Sequence, residues 1–196
     1  MGRRLGVMGG TFDPIHYGHL TTAEEALVQF ELEGVLFVPT GQPWMKAHEV
    51  VSPAEDRYLM TVIATASNPL FSVSRIEVDR EGPTYAVDTL RALKDETDAD
   101  LWFITGADAI VEIVQWKEPQ ELFELAHFIA ATRPGWDVQG LEVPGEDGRN
   151  AVTVMNIPAL AISSTDIRER VKGGRPIRYL VPEGVKSYIE KAGLYR

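Results

Sequence analysis

Gly9-Gly10-Thr11-Phe12-Asp13-Pro14-Ile15-His16-Tyr17-Gly18-His19-Leu20 follows at once on the apolar run Leu5-Gly6-Val7-Met8. The run has the length of a buried strand, and the glycine pair closes it. Beyond the loop, Ala23, Ala26, Leu27 and Phe30 recur at helical spacing between Leu20 and Leu32. The stretch therefore predicts strand, loop and helix in direct succession.

The same alternation continues downstream. Val35-Leu-Phe-Val38 stops at Pro39 and predicts a second strand, followed by a polar loop from Thr40 to Val51. Ser52-Pro53-Ala54-Glu55 then has the form of a capping box, with Ser52 as cap and proline at the first helical position. Phe71 to Val78 predicts a strand, Thr84 to Leu93 a helix capped by Thr84, and Leu101 to Thr105 a strand. Phe128-Ile-Ala-Ala131 and Val152 to Ile157 predict two more, with Trp136 to Asn150, rich in glycine and acidic residues, as a surface loop. Such alternation implies an α/β fold, doubly wound, with a mostly parallel sheet and helices on both faces. Ligands then bind beyond the carboxyl ends of the strands, so the loops following strands are where function is expected.

With 196 residues the chain suits one domain over 1–196, whose part from about 163 onward is helical. Hydrophobic residues make up 44% and charged residues 24%, the balance of a folded globular protein. The 19 lysines and arginines stand against 29 acidic residues, a net charge of −10, which argues against nucleic acid or an anionic membrane as partner. The lack of cysteine removes disulfides, thiolate metal sites and a cysteine nucleophile, and it fits a reducing compartment. Without an apolar run of membrane length, signal-peptide core or myristoylation pattern, a cytoplasmic location is expected. Oligomeric state is left open.

Familiar signatures are missing. None of the six lysines follows a glycine, so there is no P-loop. His48-Glu49 lacks the second histidine of a zincin, and Gly6, Gly9 and Gly10 lack dinucleotide-fingerprint spacing. What stands out is the loop quoted above. Its glycines allow close approach of a ligand, and the helix start that follows favours an anion. His16 and His19, three apart, share the first turn and can both donate to phosphate oxygens, with Gly18 leaving room for a nucleotide. Each histidine taken alone is equally compatible with a capping or packed polar role.

A second helix start lies in Ile162-Ser163-Ser164-Thr165-Asp166-Ile167-Arg168, where Ser163 and Asp166 have capping-box spacing and Gly173-Gly174 end the helix. A well-capped helix would explain Ser163 and Asp166. Consecutive hydroxyls followed by an arginine fork also suit a phosphate chain.

Together these two segments closely resemble the bacterial nicotinate-nucleotide adenylyltransferases, members of the His-x-Gly-His nucleotidyltransferases. Tyr85 with Asp88-Thr89-Leu90, Gly106-Ala-Asp108, Trp116, Arg133-Pro-Gly135 and Tyr179-Leu-Val-Pro182 also look like that family's landmarks, in order. The resemblance implies a Rossmann-like fold and transfer of AMP from ATP to nicotinate mononucleotide, giving deamido-NAD and pyrophosphate, with Mg2+ accompanying ATP and no dedicated metal ligands.

Residue by residue, it implies that His16 and His19 meet the ATP phosphates, with Gly9, Gly10, Thr11 and Phe12 around the nucleotide. Ser163, Ser164, Thr165 and Arg168 would hold the triphosphate from the other side, and Gly106 and Asp108 would contact the adenosine. The nicotinate mononucleotide would lie against Lys46, Thr84, Tyr85, Trp116 and Arg133, its carboxylate on the Thr84-Tyr85 backbone and its ring on Trp116. His16, His19, Arg168 and Lys46 carry the catalytic roles in this reading. Without it, Asp108 reads as a helix N-terminal acid, Trp116 as core and Lys46 as surface. Many relatives have Pro-His-Lys where this chain has Trp44-Met45-Lys46. Arg57 is a further, weaker phosphate candidate, and His48 and His127 suit packing or surface roles.

Two alternatives remain at this level. A sister enzyme such as a pantetheine-phosphate adenylyltransferase would share the first motif but lack the ring site, and a regulator of the same fold would bind ATP without turnover.

Overall fold

Val7 and Met8 are neighbours on one strand, and both are buried, yet they belong to different hydrophobic clusters. Successive side chains of a strand point to opposite faces, so a strand apolar at both positions must be covered twice. The computed structural model, which describes residues 2–43, 50–132, 151–158 and 160–196, shows how. Strands β1 (Arg4–Gly10), β2 (Gly34–Pro39), β4 (Phe71–Val73), β6 (Asp100–Gly106), β7 (Ala126–Thr132) and β8 (Val152–Asn156) form one sheet in the order β4-β2-β1-β6-β7-β8, every pairing parallel. β3 (Gln42–Pro43) and β5 (Pro83–Thr84) make a separate two-stranded piece.

One face of the sheet carries Met8, Phe37, Ile104 and Ile129. It is covered by α1 (Tyr17–Gln29), α2 (Ala54–Thr65), α6 (Ser164–Lys172) and α7 (Glu183–Ala192) through Ala23, Met60, Ile167 and Val185. The opposite face carries Val7, Phe103 and Phe128. There α3 (Ala86–Glu96), α4 (Ala107–Val111) and α5 (Pro119–Leu125) supply Leu90, Ile110 and Leu122. Full burial of each such side chain stabilises by about 1.5 to 3 kcal/mol. Strand order runs outward in both directions from β1, so the connections diverge between β1 and β6 and leave a crevice at their carboxyl ends. Gly9, Gly10 and Gly106 stand at that point.

The expected alternation is present, with local corrections. Ser52 does not cap α2: its N–H donates to Asp13 Oδ2 at 3.2 Å and its carbonyl accepts from Arg57, so Pro53 becomes the cap residue. Glu55 is held by Arg75 at 2.9 Å instead of closing a capping box. β4 ends at Val73, well short of Val78, and a turn follows in which the Asp79 N–H donates to the Arg75 carbonyl at 2.9 Å. Thr84 does not cap α3 either. It pairs with Pro43 across β3 and β5 and donates to the Gln42 carbonyl at 3.3 Å, which moves the cap to Tyr85. α1 begins earlier than Leu20, with His16 as its cap. Ser163 caps α6 as its sequence implies, accepting from the Asp166 N–H at 3.1 Å. Helices α4 and α5 carry no clear signal in the sequence reading, whereas α7 falls in the part from about 163 onward that is expected to be helical. The expected loop from Trp136 to Asn150 lies outside the described residues. Among the described residues no helix is long and apolar enough to cross a membrane.

Candidate active site

At the carboxyl end of the sheet two cavities adjoin, sharing Gly9, Thr105 and Ala109 as their common wall. The larger, about 590 Å³, is lined by His16, Gly18 and His19 from the α1 start, Gly106 and Asp108 after β6, and Ser163 and Ser164 at the α6 start. The smaller, about 430 Å³, lies on the α3 side and is lined by Gly10, Thr11, Glu77, Thr84, Tyr85 and Trp116, among others. His16, His19, Gly106, Asp108, Ser163 and Ser164 thus fall to one chamber, and Thr11, Thr84, Tyr85 and Trp116 to its neighbour. Gly10 and Thr11, expected around the ATP, face the chamber that also holds Thr84 and Trp116.

Local sequence explains the geometry of the first chamber. A Cβ on Gly10 would come within 2.8 Å of the Phe12 ring, and Phe12 itself has φ 49°, so the chain turns sharply straight after β1. The Phe12 ring is buried, meeting Phe37 and standing edge-on to His19 at 5.1 Å. It lines neither chamber. His16 then caps α1 and His19 occupies its third helical position, where the His16 N–H donates to His19 Nδ1 at 3.3 Å. The two imidazoles stack with centroids 3.7 Å apart and planes 21° from parallel. Gly18 makes room for the His16 ring, since a Cβ there would lie 2.9 Å from His16 Nδ1. Gly18 also lines the first chamber beside that ring.

Burial, and next the neighbouring His16, hold the His19 imidazole well below the usual histidine range, so His19 is neutral near pH 7. Its Nδ1 accepts a hydrogen bond, which leaves the proton on Nε2. A neutral Nε2–H in a cavity wall can donate to a phosphate oxygen without the cost of a buried cation.

Helix α6 is tied to the same loop. Ser164 Oγ donates to the Pro14 carbonyl at 2.9 Å, and Arg168 donates to the Asp13 carbonyl at 2.8 Å and to Thr165 Oγ1 at 3.3 Å. Ser163 and Ser164 therefore border the first chamber, while Thr165 and Arg168 stand behind it. Lys46, Arg133 and His48 lie outside the described residues. His127 is a packing residue, against Trp102 at 4.3 Å and bonded to Thr153.

Arg57 is not a phosphate group holder. Its side chain is 1% exposed and donates to the carbonyls of Thr11, Thr40, Gly41 and Ser52 at 2.6 to 2.9 Å. It pins three loops of the site. Asp13 and Glu77 are further site-building residues that sequence reading passed over. Glu77 is buried in the wall of the second chamber, accepts from Thr89 Oγ1 at 2.7 Å, and has its carboxyl pushed above the usual range by burial. Asp13 lies within the Gly9 to Leu20 stretch and Glu77 in no motif at all, but the role of each is revealed by contacts between distant segments.

Trp116 closes the second chamber edge-on to Phe103, at 6.2 Å. Its Nε1 has no hydrogen-bond partner among the described residues. Tyr85 caps α3 without a side-chain bond to the helix, and Lys117 sits 4.9 Å from its ring while pairing with Asp88. The first turn of α3 thus presents backbone donors beside an aromatic wall.

The cytidylyltransferase-like family matches residues 7–170. The chain is 62% identical over 197 residues to a Saccharopolyspora erythraea protein named "Probable nicotinate-nucleotide adenylyltransferase", covering 99% of this chain and 90% of the relative. A Streptomyces coelicolor protein of the same name is 60% identical over 190 residues, covering 96% and 99%. In fold it is similar to the Plasmodium falciparum nicotinic acid mononucleotide adenylyltransferase complexed with NaAD, with a TM-score of 0.81, 20% identity, and 98% and 97% of the two chains covered. From the sheet order, the paired chambers and these relatives, the chain belongs to the cytidylyltransferase-like nucleotidyltransferases and, among them, to the nicotinate-nucleotide adenylyltransferases.

Proposed function

We propose that the chain transfers AMP from ATP to nicotinate mononucleotide, giving deamido-NAD and pyrophosphate. The observation that carries this reading is the pair of chambers sharing the Gly9 wall. One is edged by two histidines and two helix starts, and the other by an aromatic side chain and an uncapped helix start. ATP occupies the first, nicotinate mononucleotide the second, and the reacting phosphates meet between them. The whole of 1–196 acts as one nucleotidyltransferase domain, with the segment from 163 onward supplying Ser163, Ser164, Thr165 and Arg168.

Both attacking and leaving groups are phosphate oxygens, so the reaction needs no enzyme nucleophile and little proton transfer. Catalysis rests on positioning and charge neutralisation. His19 donates from Nε2 to the triphosphate, and His16 lies beside it. The α6 start meets the phosphate chain through Ser163 and Ser164, with Thr165 and Arg168 behind them. Gly106 and Asp108 border the adenosine, and Lys46, which follows β3 in sequence, adds charge. On the other side Trp116 stacks on the pyridine ring. The Tyr85 and Ala86 backbone at the α3 start receives the carboxylate, with Thr84 positioning that turn and Arg133 completing the pocket.

Nucleotidyltransfer takes a divalent cation with ATP, and magnesium is the ion proposed here. No cluster of three or more potential ligands occurs among the described residues. In this reading the cation would arrive on the phosphates and keep its waters, with Asp108 as the carboxylate in the chamber wall. Bound there, it would offset charge on the leaving pyrophosphate. Small molecules are the partners in this reading, and nucleic acid and membrane surfaces are not; a cytoplasmic location belongs to it as well.

The test is pyrophosphate release with Mg-ATP and, in parallel, nicotinate mononucleotide, nicotinamide mononucleotide and phosphopantetheine. Turnover of the acid alone is expected. Comparable kcat/KM on the amide would remove the assignment of the α3 start, and turnover of phosphopantetheine would remove that of the ring site. ATP binding without turnover would favour a regulator.

A further inference from the structure

Asp13 lies three residues before His16 and is 3% exposed, yet neither chamber touches it. Its Oδ1 accepts from the Tyr195 hydroxyl at 2.6 Å, its Oδ2 from the Ser52 N–H at 3.2 Å, and its carbonyl from Arg168 at 2.8 Å. The loop from Thr11 to Ile15 is thus held from four directions, with Arg57 on Thr11 and Ser164 on Pro14. Two of these bonds come from α6, whose start borders the first chamber. Tyr195 does not border it. It follows α7 and the left-handed turn at Gly193, and its own backbone has φ 64°, a conformation bulky residues seldom adopt. The Asp13 carboxylate on its hydroxyl, together with packing of its ring against the core, gives that backbone a reason.

We propose that Tyr195 is a positioning residue for the histidine pair: through Asp13 it sets where the loop after β1 delivers His16 and His19, and it couples that loop to the Ser52 segment that leads into α2. Removing the hydroxyl would leave a buried carboxylate with the Ser52 N–H as its remaining bond, and such a group relaxes by shifting until it finds another donor. The shift falls on the residues leading into His16. This inference rests on the adenylyl-transfer reading for its kinetic consequence and on geometry alone for its structural one.

The test compares wild type with Tyr195→Phe, which keeps the ring. Steady-state kinetics with Mg-ATP and nicotinate mononucleotide give kcat and both KM values, and long-range 1H–15N NMR reports the ring nitrogens of His16 and His19. The expectation is a fall in kcat of about tenfold with both KM values within about twofold, since small displacements of catalytic groups act on the transition state. His19 would also lose its single Nε2–H tautomer signature. Unchanged kcat with unchanged histidine signals would overturn the proposal, even if the melting temperature falls. A variant that does not fold would overturn it too, in favour of a purely structural bond. Should wild type release no pyrophosphate, the function reading fails while the histidine spectra still decide this one.

Discussion

The rings of His16 and His19 lie stacked 3.7 Å apart, joined by a bond from the His16 backbone N–H to His19 Nδ1. Two imidazolium ions could not share that spacing in a buried wall, so the pair works with at least one neutral ring. The arrangement fixes which nitrogen of His19 carries its proton and so where it can donate.

His16→Ala is expected to lower kcat by about 10² to 10³, the usual cost of a lost transition-state donor. His16 is also the α1 cap residue, so circular dichroism must show the helix content retained. An unchanged kcat in the folded variant would remove His16 from the mechanism.

Stability should depend on pH through His19. Its folded value lies below 6.5, so between the two values the unfolded chain binds an extra proton. Stability is therefore fully present above about 6.5 and is lost as pH falls toward the folded value. His127, lowered by burial, adds with the same sign. Urea midpoints at pH 7.5 and 5.5 should differ less in His19→Gln than in wild type; an equal difference would place the neutral ring elsewhere.

Trp116→Ala should raise KM for nicotinate mononucleotide about tenfold or more and leave KM for ATP nearly unchanged, because Trp116 lines only the second chamber. Equal effects on both substrates, measured by initial rates, would contradict the division of the site.

Arg57→Met should destabilise by about 2 to 4 kcal/mol, since it removes charged donors from four carbonyls at once. Thermal melts and denaturant curves check this. A loss below about 0.5 kcal/mol, the range of ordinary surface changes, would mean the loops do not depend on it.

Glu77→Leu should cost about 1 to 3 kcal/mol by leaving the Thr89 hydroxyl without its acceptor, and Glu77→Gln should cost less. Denaturation midpoints of the two variants decide whether the carboxyl serves as an acceptor in the chamber wall.

Local pattern determined the architecture of this protein. Short apolar runs ended by glycine or proline, alternating with helical periodicity, are enough for a parallel α/β sheet, because each signal lies within a dozen residues. The loop from Gly9 to Leu20 and the Ser163 cap were legible for the same reason. The tertiary structure decided the rest, and each departure has a long-range cause. Ser52 lost its cap role to Asp13 and Arg57, and Thr84 to Gln42 across the small sheet. Arg57, Glu77, Asp13 and Tyr195 build the site from behind, and their meaning depends on partners up to 182 residues away. A sequence shows which residues can form hydrogen bonds; which partners they take is settled only when burial removes water as the competing one.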